Sequence, residues 1–274
     1  MSAPEESPVR PPGQPSPSDA LTGRPYNIRV SFPVRAITLD LDDTLWPFAP
    51  IGARIEQSLH AWFLEHSPAT AERFPIHGMR ELRGQVHAAH PQLAHDLSAL
   101  RRLTIERALR ETGADPALAE AAHALFHRER NRVDFYPDAL DALHRISARL
   151  PIVALSNGNA DLVAIGIHKL FASQLNAVMH GTPKPHAGIF LSACARLRCA
   201  PHEVLHVGDD IVLDMLGAAR AGLRTCWIER DDAHGRDWPQ DAPGPDLHFH
   251  TLAALADWLD EHATQASNER TATA

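Results

Sequence analysis

Val34-Arg-Ala-Ile-Thr-Leu-Asp-Leu-Asp-Asp-Thr-Leu45 is the stretch that decides the fold. A short, mostly apolar run ends abruptly in three carboxylates, Asp40, Asp42 and Asp43. An apolar run closed by a polar turn predicts a strand buried on both faces. Successive side chains of an extended chain alternate in direction, so Asp40 and Asp42 face one site. Two carboxylates on one site repel unless a cation or a shared proton holds them. An acidic loop that merely caps the next helix is the reading without chemistry.

Working outward, the same strand pattern recurs at Pro151–Ser156, Val204–Asp209 and Thr225–Ile228. Weaker versions fall at Leu247–His250 and Ala177–Met179. Helical periodicity follows, over Pro137–Leu150, Ala187–Leu197 and Ile211–Ala221, the last closed by Gly222. Strand-then-helix repetition predicts an α/β fold: a Rossmann-like parallel sheet with helices on both faces. Ligands of such sheets sit at the carboxyl ends of the strands. Asp40, Ser156 and Asp209 each close a strand there.

Residues 48–133 break the pattern. They contain no strand-like run, and three apolar helical stripes instead: Ile55, Leu59, Trp62 and Phe63; Leu97, Leu100, Leu103 and Ile105; Leu118, Ala122, Leu125 and Phe126. These predict an inserted α-helical cap over 48–133, with the core formed by 30–47 and 134–262. Residues 1–28, rich in Pro and Ser, are expected to form a disordered leader, and 264–274 a flexible tail.

Three further signals carry chemistry. Leu205-His-Val-Gly-Asp-Asp-Ile-Val-Leu-Asp214 places Asp209, Asp210 and Asp214 around a strand end, and helix capping accounts for one acid more easily than for three. Lys184 lies between Pro183 and Pro185, whose rigid backbone restricts where its ammonium points. Ser156-Asn-Gly-Asn159 offers a hydroxyl and backbone N–H groups as an anion cradle, or a plain turn. Together they describe carboxylates for a hard cation, a fixed lysine and a phosphate cradle, the groups phosphoryl transfer needs.

Composition bounds the alternatives. The 274 residues are 44% hydrophobic and 22% charged, with a formal net charge of −8, which argues against a general nucleic-acid or anionic-membrane binder. Cys194, Cys199 and Cys226 form no CxxC pair and read as reduced thiols of a cytoplasmic protein. No signal peptide or membrane span is expected. The paired histidines among the 18, such as His123 with His127 and His248 with His250, read as surface or packing residues, because no zinc pattern accompanies them. Trp46 and Phe48, beside the acidic loop, suit either contact with a flat substrate ring or hinge packing.

The four segments DLDDT (40–44), LSNG (155–158), TPKP around Lys184 and GDDIVLD (208–214) resemble, in order, the motifs of the haloacid dehalogenase-like hydrolase superfamily, with a helical cap between the first two. The resemblance implies Asp40 as nucleophile, forming an aspartyl phosphate, and Asp42 as general acid, then base. It implies that Mg2+ is held by Asp40, the backbone carbonyl of Asp42 and Asp209, with Asp210 and Asp214 in support. It assigns the phosphoryl group to Ser156, Asn157, Gly158 and Lys184, with Thr44 nearby. Lys184 would also offset the charge of Asp40. DLDDTLW, ALSNGNADL and TCWI look like the bacterial flavin-pathway branch, whose members dephosphorylate 5-amino-6-(5-phosphoribitylamino)uracil and FMN. The expected partner is then a small phosphorylated metabolite, and the expected assembly a monomer or homodimer. Rival readings are a sugar-phosphate phosphatase, a phosphomutase, and an inactive phosphate-binding protein. A true dehalogenase needs no acid at the position of Asp42. His186 departs from the superfamily, which often has Asp there; a helix N-terminal place is expected for it.

Overall fold

A computed structural model describes residues 32–230, 238–239 and 241–272, with backbone alone for 263–272. The predicted leader, 1–28, lies outside the described residues. The core is one six-stranded, all-parallel sheet: β1 (Ala36–Leu39), β2 (Ile152–Ser156), β3 (Ser173–Asn176), β4 (Val204–Gly208), β5 (Arg224–Ile228) and β6 (Leu247–Phe249), in the order β3-β2-β1-β4-β5-β6. Every residue of β1, β2 and β4 is buried, as expected where helices cover both faces of a parallel sheet.

The chain winds outward from β1 to β3, then returns to lay β4 on the other side of β1. This reversal opens a crevice at the carboxyl ends of β1, β2 and β4. Backbone bonding carries the register past the strand end, because the Asp40 N–H donates to the Val207 carbonyl at 2.9 Å.

The insertion after β1 carries five α-helices: α1 (Phe48–His66), α2 (Pro68–Arg73), α3 (Ile76–Ala89), α4 (Leu97–Glu111) and α5 (Leu118–Arg130). Their buried faces follow the sequence stripes with small rotations. Ile51, Ile55, Leu59 and Phe63 are buried on α1; Leu100, Thr104, Ile105, Ala108 and Leu109 on α4; Ala119, Ala122, Leu125 and Phe126 on α5. Leu97 stays 40% exposed and does not join its stripe. It stands at the first turn of α4, where Asp96 caps the helix by accepting from the Ala99 N–H at 2.9 Å.

The remaining helices are α6 (Ala139–Ser147), α7 (Leu162–Ile165), α8 (Ala177–His180), α9 (Ala187–Leu197), α10 (Gly217–Arg220) and α11 (Leu252–Ala272). Three local expectations are corrected. Ala177–Met179, read as a weak strand, begins α8, with the Asn176 side chain accepting from the Met179 N–H at 2.9 Å. The strand is the preceding Ser-Gln-Leu-Asn, whose half-exposed edge position tolerates polar residues. The tail read from 264 onward continues α11 to Ala272, as the helix-compatible Ala, Gln, Glu and Arg of that stretch allow. Ile211–Leu216, read as ordinary helix, is a wider π-helical turn before α10. Among the described residues no helix is long and apolar enough to cross a membrane.

Phe190 anchors the layer between α9 and the sheet. It has no exposed surface, belongs to a cluster with Val153, Leu155, Ile189 and Leu175, and meets the His206 ring edge-on at 5.0 Å. A Cβ at Gly217 would fall 2.9 Å from the same ring and 3.0 Å from the Pro185 Cα, so α10 packs here through a bare backbone. Phe190→Ala should lower the unfolding free energy by ~3–5 kcal/mol in urea denaturation, the usual cost of an aromatic-sized core cavity.

Candidate active site

Lys184 stands at the centre of the site. It is 3% exposed, and its ammonium lies 2.6 Å from Asp40 Oδ1 and 2.5 Å from Asp214 Oδ1. Its backbone is pinned from the far side of the crevice. The Lys184 N–H donates to Asn157 Oδ1 at 2.7 Å, and Asn157 Nδ2 donates to the Lys184 carbonyl at 3.0 Å. The motif after β2 thus holds the lysine in place, and the Lys184–Pro185 peptide is cis.

Asp214 is the second anchor. It takes the Lys184 ammonium, the His206 ring at 3.0 Å and the Asp210 N–H at 3.1 Å. His206 is fully buried on β4 between Asp214 and the Thr38 hydroxyl on β1, 2.9 Å from Nδ1. A neutral ring with its proton on Nε2 satisfies both neighbours. Burial keeps the imidazole below its usual pKa despite the hydrogen bond it donates to Asp214, so the neutral form is favoured. Gly208 makes room for this carboxylate, since a Cβ there would lie 2.5 Å from Asp214 Cγ.

The electrostatics are lopsided. Burial, more than any neighbour, pushes the Asp40 carboxyl well above the usual carboxylate range; Lys184 opposes this, while Asp214 and Asp209 add to it. Burial also works against the charge of Asp214, but Lys184 and His206 outweigh it and hold that carboxyl well below the usual range. Lys184 is likewise penalised by burial, yet Asp214 and Asp40 hold its pKa above the ordinary lysine value. Asp209 completes the group: ligand oxygens of Asp40, Asp209 and Asp214 all lie within 4.8 Å of one another, and all three residues are buried. One lysine cannot balance three buried carboxylates, so the donor set fits a hard divalent cation such as Mg2+.

Asp42 stands apart from this cluster. Trp46 Nε1 donates to its Oδ1 at 2.8 Å, and Arg130 Nη2 lies 2.6 Å from its Oδ2. A Cβ at Gly158 would fall 2.7 Å from Asp42 Oδ2 and 3.2 Å from Ser156 Oγ, which brings Asp42 to the loop after β2. The Ser156 Oγ accepts from the Gly158 N–H at 2.9 Å, leaving its own O–H to donate elsewhere. The loop that carries Asp42 turns at Asp43, whose φ is +58°, and Asp43 Oδ1 accepts from the Phe48 N–H at 2.8 Å as α1 begins.

The structure brings Asp40, Lys184, Asp209 and Asp214 together, and Asp42, Ser156 and Gly158 beside them. Three residues take other parts than the sequence suggested. Thr44 has no exposed surface, and its hydroxyl donates to Asp209 Oδ1 at 3.3 Å. The Asn157 amide is spent at both ends on the Lys184 backbone. Asp210 caps the following turn, accepting from the Val212 and Leu213 N–H groups at 2.8 Å each. Trp46 is fully buried and edge-on to Phe135 at 5.4 Å, which makes it hinge packing and not a ring platform. His186 sits before α9 and caps it through Gly188.

Sequence reasoning missed His206, Arg130 and Arg230. His206 carried a usable signal, because it shares the strand face of Gly208 next to the acidic motif. The two arginines carried none, since only folding carries them to the acidic loop. Arg230 is 5% exposed and locks the back of that loop, donating to the Thr44 carbonyl at 2.7 Å and to Asp138 at 2.7 Å.

Lys184→Met should destabilise the protein by ~3–5 kcal/mol at neutral pH, because it strands buried carboxylates without a counter-charge. Those carboxyls then titrate higher in the folded than in the unfolded state. The deficit against wild type should therefore shrink as pH falls toward ~4 and grow as pH rises above it. Urea denaturation of both proteins across that range checks the sign.

Residues 34–222 match the model of the haloacid dehalogenase-like hydrolase family. The chain is 33% identical over 226 residues to the 5-amino-6-(5-phospho-D-ribitylamino)uracil phosphatase YigB of Escherichia coli (strain K12), across 81% of this chain and 94% of that protein. It is 30% identical over 224 residues to the phosphoserine phosphatase of Thermus thermophilus, across 72% and 89%. Its fold superposes on the crystal structure of a 2-haloacid dehalogenase from Pseudomonas syringae pv. Tomato DC3000 with a TM-score of 0.75 and 31% identity, covering 83% of this chain and 99% of that one. With the motif residues gathered at the crevice and the match extending across most of the chain, the protein belongs to the haloacid dehalogenase-like hydrolase family.

Proposed function

We propose that this protein is a magnesium-dependent phosphomonoesterase that works through an aspartyl phosphate at Asp40, on a small phosphorylated metabolite of the kind the flavin pathway uses. The observation that carries the reading is the pairing of two differently placed acids on one loop. Asp40 lies buried beside a fixed ammonium at 2.6 Å, and Asp42 lies beside the Ser156–Gly158 cradle. A single carboxylate suffices to displace a halide. A second acid at the position of Asp42 serves a leaving group that needs a proton, as an alkoxide does and a halide does not.

In this reading Asp40 Oδ2 attacks phosphorus while Lys184 holds Oδ1 and balances the charge that accumulates on the phosphoryl oxygens. The Ser156 hydroxyl and the Lys184 ammonium bind those oxygens. Asp42 gives its proton to the departing alcohol oxygen, then takes a proton from the water that attacks the aspartyl phosphate. Phosphate leaves and Asp40 is regenerated. Magnesium held by Asp40, the Asp42 backbone carbonyl and Asp209 would supply charge neutralisation at the phosphoryl group. Asp214 acts through Lys184, fixing the ammonium, and Thr44 through Asp209.

The substrate class draws support from the YigB likeness, which extends through the helical insertion. The phosphoserine phosphatase likeness keeps other phosphometabolites within the same chemistry.

Phosphate release measured with magnesium should be fastest on 5-amino-6-(5-phosphoribitylamino)uracil and FMN among a panel that includes sugar phosphates. Preference for sugar phosphates would discard the flavin assignment and keep the chemistry. Asp40→Asn should lose turnover by at least ~10³-fold while melting near the wild-type temperature, because a neutral amide cannot form the covalent bond. An active variant would refute the aspartyl phosphate. Asp209→Asn should raise the magnesium concentration needed for half-maximal rate, read from a metal titration.

A further inference from the structure

One charged side chain of the helical insertion reaches the acidic loop. Arg130, the last residue of α5, is 2% exposed. Its Nη2 lies 2.9 Å from Asp42 Oδ1 and 2.6 Å from Asp42 Oδ2. Its Nε donates to Asn159 Oδ1 at 3.1 Å, and Asn159 Nδ2 donates to the Ser98 hydroxyl at 2.9 Å. The exposed Phe48 ring lies beneath the guanidinium, 5.4 Å from its carbon. Asp42, the loop after β2 and the helices α4 and α5 are thus joined through one arginine.

The pairing geometry is unusual for an ion pair kept for stability. Arginine matches a carboxylate with two nitrogens, one to each oxygen. Here a single nitrogen, Nη2, serves both oxygens of Asp42. The other, Nη1, is buried and has no acceptor among the described residues. Buried donors are nearly always satisfied, so one left over beside a reaction centre points to an acceptor that arrives from outside. The place is right for a phosphate ester. A Cβ at Gly158 would fall 3.1 Å from Arg130 Nη2 and 3.2 Å from Ser156 Oγ, so the guanidinium and the proposed phosphoryl-binding hydroxyl border the same glycine. Asn159, which grips Nε, belongs to the same loop as that hydroxyl.

We propose that Arg130 is a two-sided residue of the reaction: Nη2 fixes the side chain of Asp42, and Nη1 donates to an oxygen of the phosphomonoester substrate. This rests on the phosphomonoesterase reading above. Its consequence is that the helical insertion orders the acid–base residue directly, because the arginine that orients Asp42 also takes the substrate.

The test uses Arg130→Lys and Arg130→Gln in the full-length, magnesium-loaded enzyme, on two esters. One is an alkyl phosphate that the wild type turns over, such as FMN. The other is 2,4-dinitrophenyl phosphate, whose phenolate departs without a proton. Arg130→Gln should lose kcat on the alkyl ester by ~10²-fold or more, the scale of a misplaced acid–base group, and by less than ~10-fold on the dinitrophenyl ester. KM should rise for both esters, because the Nη1 contact is common to them. Arg130→Lys, which restores the charge but offers a single nitrogen, should recover part of kcat and leave KM high. Equal losses on the two esters with unchanged KM would reduce Arg130 to a structural residue and overturn the proposal, as would unaltered kinetics. If Arg130→Gln does not fold, Asn159→Ala decides. It removes the Nε support and should show the same ester selectivity in weaker form; no selectivity overturns the proposal. A wild type that hydrolyses neither ester would instead remove the phosphomonoesterase reading itself, an outcome visible before any Arg130 variant is made.

Discussion

The Lys184 ammonium, held between Asp40 and Asp214 with almost no access to water, is the constraint on which the rest of the site depends. Burying three charges costs heavily in desolvation, and their mutual attraction repays it only when the geometry is tight and the remaining valences are filled. Much of the surrounding structure meets that requirement. Gly208 leaves space for Asp214, His206 and the Asp210 backbone take up its other hydrogen bonds, and Asn157 fixes the lysine backbone at both its N–H and its carbonyl. Phe190 and Gly217 pack α9 and α10 behind the lysine loop. The carboxylate excess that remains, at Asp40 and Asp209, is one that a divalent cation would complement.

A second constraint governs the junction between the strand β1 and the helical insertion. Within a few residues the chain must leave the sheet, position two acids and begin α1. Asp43 adopts a left-handed backbone for this turn, Trp46 is buried whole, and Arg230 braces the Thr44 carbonyl from the far side. Arg230 also pairs with Asp138, whose other oxygen accepts from the Leu252 N–H, so the acidic loop is tied to α6 and α11. The loop is therefore held from below by the core and from above by Arg130. Its two acids end in different surroundings, Asp40 against a lysine in a buried cluster and Asp42 against an arginine from the insertion. Separating the environments of two nearby carboxyls is the general means by which one site obtains a nucleophile and an acid–base group.

Some of this was legible in the linear sequence and some was not, for physical reasons that differ by residue. β1, β2, β4 and β5 were readable because parallel strands buried on both faces are nearly continuous apolar runs, and Asp40 and Asp209 because they end such runs. β3 was not, since an edge strand can be polar and Ser-Gln-Leu-Asn carries no run. The stripes on α1, α4 and α5 were readable because helical periodicity records which face is buried. Thr44 and Asn157 were placed in the right neighbourhood, but their bonds to Asp209 and to the Lys184 backbone were not legible. Their side chains are short polar groups that bind backbone or carboxylate as readily as substrate, and composition does not choose between them.

The sequence by itself determined an α/β parallel sheet, a helical insertion after the first strand, and the four segments that meet at the strand ends. These follow from local periodicity and from the rule that strand ends on one side of a parallel sheet converge. Only the tertiary structure decided which charges neutralise one another: Lys184 with both Asp40 and Asp214, Arg130 with Asp42 and Arg230 with Asp138. Asp42 and Arg130 are 88 positions apart, and Asp40 and Lys184 are 144 apart. No local propensity records a pairing over such distances, because the energy that selects it arises only when folding excludes water from the charges.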